Sequence, residues 1–109
     1  MLTLEVERFS PVMVLRCAGR IVRGDGADAL LRAVTSETYS HIVIDLKEVN
    51  AIDAAGLGVV AQLERWAREE NRTIQWVNAS KRVRDAFDVT RLASLLKLEP
   101  GQQSRRTAA

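Results

Sequence analysis

The chain has 109 residues, 47% of them apolar and 28% charged, which suits one soluble globular domain and excludes an intrinsically disordered chain. Its formal charge is +2, but Arg105 and Arg106 supply that excess: without residues 105–109 the count is 14 basic against 14 acidic side chains. The basic balance is therefore no ground for a nucleic-acid partner. No apolar stretch approaches the ~18 residues that a membrane span needs, and the N-terminus lacks a signal-peptide layout. One cysteine excludes an internal disulfide, so a cytoplasmic protein without membrane insertion is the simplest expectation.

Residues 2–8 alternate, with Leu2, Leu4 and Val6 on one side and Thr3, Glu5 and Glu7 on the other. That period predicts a half-buried strand at an edge or in an antiparallel pair. Ser10-Pro11 makes a turn, and Val12–Ala18 forms a second, more apolar strand close enough for a hairpin. Cys17 lies in that strand and reads as a buried thiol without a catalytic partner. Gly19 to Val22 ends the hairpin, and Gly24-Asp25-Gly26 turns the chain into a helix reaching about Val34. Asp25 or Asp28 is its expected cap, while Ala27, Leu30, Leu31 and Val34 share its apolar face.

The densest information lies between His41 and Trp66. Ile42-Val43-Ile44, then Asp45-Leu46, reads as a strand buried on both faces, as in a parallel sheet. Lys47 to Ile52 reads as a loop, after which the period changes to about 3.6. Gly56, Val59, Val60, Leu63, Trp66 and Ala67 share one face of the predicted helix, with Gln62, Arg65 and Glu69 opposite. Asp53 is the expected N-cap, its carboxylate accepting backbone N–H groups at the positive end of the helix dipole. Leu57 is expected off the core face.

Thr73–Val77 predicts the next strand, and Ser80 caps a helix containing Val83, Ala86, Phe87 and Val89. Lys81, Arg82, Arg84 and Arg91 give that helix a basic outer face of the kind usually solvated. Trp66 and Trp76 fall at core-facing phases and read as packing rather than ligand stacking. A short strand is expected within Leu92–Leu98, and residues 100–109 lack periodicity, so a disordered tail follows a single domain spanning 1–99. Two opening strands followed by alternating helices and strands predict an α/β fold: a mixed sheet with helices packed against it. The single histidine, His41, has no second ligand, and no metal spacing, nucleophile–base pair or dinucleotide fingerprint is present. The expectation is a protein that is not an enzyme and needs no cofactor or metal.

Asp45-Leu46 with Ile52-Asp53-Ala54-Ala55-Gly56-Leu57-Gly58 resembles the signature of the STAS domain, the fold of anti-sigma-factor antagonists. The resemblance continues through Asn78–Phe87 and Thr90-Arg91-Leu92, and so covers roughly residues 2–98. Relatives regulated by phosphorylation read Asp-Ser-Ser-Gly-Leu-Gly here, the second serine accepting phosphate from a partner kinase. Ala55 holds that position. A helix N-terminus suits a phosphate, and a phosphoserine would add a charge of about −1.5 to −2, but alanine has no hydroxyl to carry it. A second departure is Val22, where such relatives commonly carry an acid close to the phosphorylation site.

The resemblance implies a non-catalytic interaction module that docks an anti-sigma factor or serine-kinase-type protein. The implied surface is Val22, Arg23, Asp53, Ala54, Ala55, Gly56, Leu57 and Gly58, binding constitutively because Ala55 cannot be phosphorylated. The alternative is a STAS-type structural or regulatory subunit of a signalling assembly or transport complex. Many relatives add a helix after the last strand. This sequence does not, which leaves part of the sheet open to a partner or to self-association with a second copy.

Overall fold

A computed structural model describes residues 1–90 and 92–97. Strand β1 (Leu2–Phe9) and strand β2 (Val12–Ile21) form an antiparallel hairpin. Helix α1 (Ala27–Thr35), strand β3 (His41–Ile52), helix α2 (Ala54–Glu69), strand β4 (Thr73–Val77) and helix α3 (Lys81–Val89) follow in turn. A single 3-10 turn at Ala93–Leu95 leads into the two-residue strand β5 (Leu96–Lys97). The five-stranded sheet has the order β1-β2-β3-β4-β5, antiparallel only between β1 and β2. The expected mixed sheet with helices against it is the observed α/β architecture. The expected boundaries at residues 98–109, including the tail, lie outside the described residues.

Alternation decides which face of the sheet is covered. Met13, Leu15 and Cys17 of β2, Ile42, Ile44 and Leu46 of β3, and Ile74 and Trp76 of β4 are buried together beneath the helices. The alternate set (Val12, Val14, Arg16, Val43, Asp45, Thr73, Gln75) is half-buried or exposed. This face of the parallel strands has no cover among the described residues. The reading of Ile42–Leu46 as buried on both faces is thereby corrected: within that stretch only Ile42, Ile44 and Leu46 point inward, and Val43 stays half-buried.

Trp76 fastens the covered side. It is fully buried, its indole N–H donates to Glu64 Oε2 of α2 at 2.8 Å, and its ring meets Phe87 of α3 edge-on at 6.5 Å between centroids. One side chain of β4 thus joins two helices. The hydrogen bond removes the cost of burying an indole N–H.

Several local expectations are overturned. Lys47–Ile52 is strand, because β3 carries two extra residues opposite β2, between Arg16 and Ala18 and between Gly19 and Arg20. These bulges put Lys47 and Glu48 consecutively in solvent and break the alternation on which strand reading depends. Neither Asp25 nor Asp28 caps α1. Gly26 does so at φ 110° without a side-chain hydrogen bond, and a Cβ there would lie 2.3 Å from the Arg20 carbonyl oxygen. Asp25 pairs with the Met1 amino group instead. Trp66 does pack against the core as expected, half-buried, with the Arg72 guanidinium 4.8 Å from its ring centre in a cation–π contact. Val89 is 84% exposed, at the last position of α3. Asp53 and Ser80 do cap α2 and α3 as expected.

Cys17 is 2% exposed, and its thiol pKa is pushed from 9.0 to about 12 by burial and then by the nearby Asp45 charge. Thiolate is the reactive form. Alkylation of the folded chain at pH 8 is therefore expected to run roughly a thousandfold slower than that of the urea-unfolded chain. Comparable rates, followed by mass spectrometry, would contradict this burial.

Candidate partner-binding surface

The surface begins where β2 and β3 end side by side. Asp53 follows Ile52, the last residue of β3, and its backbone N–H donates to the Ile21 carbonyl at the end of β2, 3.4 Å away. The Asp53 side chain then does two things. Oδ1 accepts the Gly56 N–H at 2.9 Å, which caps the first turn of α2. Oδ2 accepts the Arg23 N–H at 3.0 Å, which fixes the loop between β2 and α1. Both bonds hold the carboxylate below its ordinary pKa near 3.8, the Arg23 N–H contributing most and the Gly56 N–H next. Asp53 is thus a latch between two segments, with both oxygens already in use.

Gly56 brings these segments together. A Cβ at this position would stand 2.2 Å from the Ile21 carbonyl oxygen, so the first turn of α2 sits on the end of β2 at a distance only glycine permits. Gly58 is the reverse case: a Cβ there would meet nothing within 4 Å. Two glycines two positions apart therefore serve opposite purposes, one against the core and one facing solvent.

The structure brings the eight sequence-predicted residues into one region but distributes them over different depths. Arg23, Ala54 and Gly58 are exposed, and Val22, Asp53 and Ala55 are half-buried. Gly56 and Leu57 are buried. Leu57 was expected off the core face; at 9% exposure it packs with the core cluster instead. Its phase lies at the margin of the apolar stripe, so counting positions on α2 alone puts it on the wrong side. What α2 presents outward is Ala54, Gly58, Ala61 and Arg65, spaced 4, 3 and 4 residues apart. Ala61 and Arg65 were not among the predicted contacts, although the helical period that placed Ala54 and Gly58 extends directly to them. Arg82 of α3 reaches the Asn50 carbonyl at 3.4 Å and adds a second exposed cation near the end of β3.

No group of three or more metal-ligating side chains occurs among the described residues, and no helix is long and apolar enough to cross a membrane. The geometry offers a shallow contact surface made of backbone and Cβ atoms on a latched frame.

Comparison with known proteins agrees with the fold. The family model described as "Mlab, STAS domain" matches residues 6–98. An anti-sigma factor antagonist from Mycobacterium paratuberculosis superposes with a TM-score of 0.74 at 24% identity, covering 99% of this chain and 93% of its own. The unphosphorylated anti-sigma factor antagonist SpoIIAA gives 0.76 at 14% identity, covering 97% and 96%. The phosphorylated form of the Bacillus cell fate determinant SpoIIAA gives 0.71 at 13% identity, covering 98% and 100%. At these identities the structural likeness speaks for the fold.

Two measurements test the frame. Gly56→Ala is expected to destabilise the domain by about 2 kcal/mol or more through overpacking, whereas Gly58→Ala should stabilise it by up to about 1 kcal/mol. Urea unfolding midpoints that move together would contradict the assignment. Because the Asp53 pKa is lowered on folding, its contribution to stability is present above the ordinary Asp value and disappears as pH falls through the lowered one. Asp53→Asn should therefore be less stable than wild type at neutral pH, with a difference that shrinks below about pH 4. A difference that stays constant down to pH 2 would refute the charged latch. The chain belongs to the STAS domain family, over residues 6–98.

Proposed function

We propose that this chain is a non-catalytic protein–protein interaction module of the anti-sigma-factor-antagonist kind. In this reading it binds an anti-sigma factor or serine-kinase-type partner through the start of α2 and the adjoining Val22–Arg23 loop. The observation that carries the proposal is the exposed, nearly side-chain-free face of Ala54 and Gly58, held in place by the Asp53 latch. Such a face lets a partner backbone approach closely. The rigid frame beneath it lowers the ordering cost of association. Leu57 and Gly56 support the surface from below, and Arg23 supplies an exposed cation at its edge.

Control in this proposal comes from protein amount. Ala55 lies in the first turn of α2, half-buried and without a hydroxyl, so a phosphate cannot be placed there to disrupt docking. The same absence favours a second reading, in which the domain is a STAS-type regulatory subunit of a signalling assembly or transport complex and has no kinase among its partners.

The test is capture of partners from the source cell extract by wild type and by Gly58→Arg, whose side chain projects into solvent without disturbing the core. Expected is a kinase-type anti-sigma factor with wild type and roughly a hundredfold weaker binding by the variant. Ala55→Asp, a rough phosphate mimic, should weaken the same complex while the far-ultraviolet circular dichroism stays unchanged. A transport or sensor component in place of the anti-sigma factor selects the second reading. Full binding by both variants would remove α2 from the interface.

A further inference from the structure

The uncovered face of the sheet carries its own feature, remote in kind from the α2 surface. One rung of the sheet runs Glu5, Arg16, Asp45, Val77, Lys97 across all five strands. At its β1–β3 end lies a groove of about 350 Å³ bordered by Glu5, Arg16, Asp45, Lys47 and Glu48 over Ala18. The bulge in β3 widens it by putting Lys47 and Glu48 on consecutive positions. Arg16 pairs with Glu7 of β1, and Asp45 Oδ1 accepts the Lys47 N–H at 2.9 Å. Glu5 and Glu48 have no cationic partner among the described residues. Four carboxylates, with Glu7 included, thus face two cations, leaving the groove at −2.

The complementary charge stands in the same chain. Arg105 and Arg106 supply the whole formal excess of +2. Lys97, the last described residue, lies on the very rung that carries the groove. Strands lie about 4.8 Å apart, so Lys97 is about 10 Å from Asp45 and about 19 Å from Glu5 across the sheet. Arg105 stands eight residues beyond Lys97, and eight residues span up to about 26 Å. Reach and sign both match.

We propose that this acidic groove is a docking site for residues 98–109 of the same chain, with Arg105 and Arg106 against Glu5, Glu7, Asp45 and Glu48. The segment then covers the one face of the parallel strands that α1, α2 and α3 leave open, and it neutralises the charge gathered there. The contact is on the surface and electrostatic, so it is weakened by salt. It leaves the α2 surface free, and it does not depend on the function proposed above.

The experiment uses the full ¹⁵N-labelled chain with Ser104→Cys carrying a nitroxide, the buried Cys17 thiol remaining unlabelled under mild conditions. Expected is a roughly twofold loss of amide signal at Glu5, Arg16 and Asp45, with Arg65 and Asp88 on the helical side unaffected. Adding Arg105→Glu and Arg106→Glu, or raising the salt, should restore the lost signals. Equal losses on both faces, or losses unchanged by charge reversal, would overturn the proposal. So would losses seen only when ¹⁵N chains without the label are mixed with labelled unenriched chains, which would make a second copy the occupant.

Discussion

Everything at the proposed contact surface hangs on how one carboxylate divides its two oxygens. Asp53 caps α2 with Oδ1 and secures the Arg23 backbone with Oδ2. These two bonds tie the loop after β2 to the junction of β3 and α2, 30 residues further along the chain. A capping aspartate seen in isolation is a local device that stabilises a helix end. Here it is also tertiary, because the second oxygen fixes a loop 30 residues away. The lowered pKa reflects the same arrangement, since both hydrogen bonds favour the charged form.

The covered side of the sheet supplies the rigidity that such a latch needs. Trp76 touches α2 through its N–H and α3 through its ring, so both helices are referenced to the same strand, β4. Their N-termini follow β3 and β4 directly, which places Asp53 and Ser80 along one end of the sheet. Gly56 then sets the spacing between α2 and β2, because any side chain there would strike the Ile21 carbonyl. The outward face of α2 is correspondingly plain. Ala54, Gly58 and Ala61 expose shape and backbone rather than reactive side chains, on a chain that belongs to the STAS family.

Much of the fold could be read in advance because its signals are local. The hairpin, α1, β4 and the Ser80 cap follow from period and capping chemistry within windows of about ten residues. The misreadings share another origin. Lys47–Ile52 is strand only because β2 pairs with it across two bulges, and no window inside β3 contains β2. Gly26 begins α1 because a Cβ would strike Arg20, while Asp25 is drawn to the Met1 amino group. Leu57 was misassigned because its burial in the core cluster is a tertiary contact that the phase of α2 alone does not reveal.

The sequence by itself determined the class of fold, the place of the α2 start, the Asp53 cap and the lack of a hydroxyl at Ala54 and Ala55. Those properties are carried by residue type and short spacing, which do not change when the chain folds. Only the tertiary structure decided that Asp53 holds Arg23 as well, that Gly56 is a spacer and Gly58 an opening, and that one face of the sheet has no cover among the described residues. Each of these depends on which strand lies beside which, and that pairing is fixed by contacts between residues that no local pattern brings together.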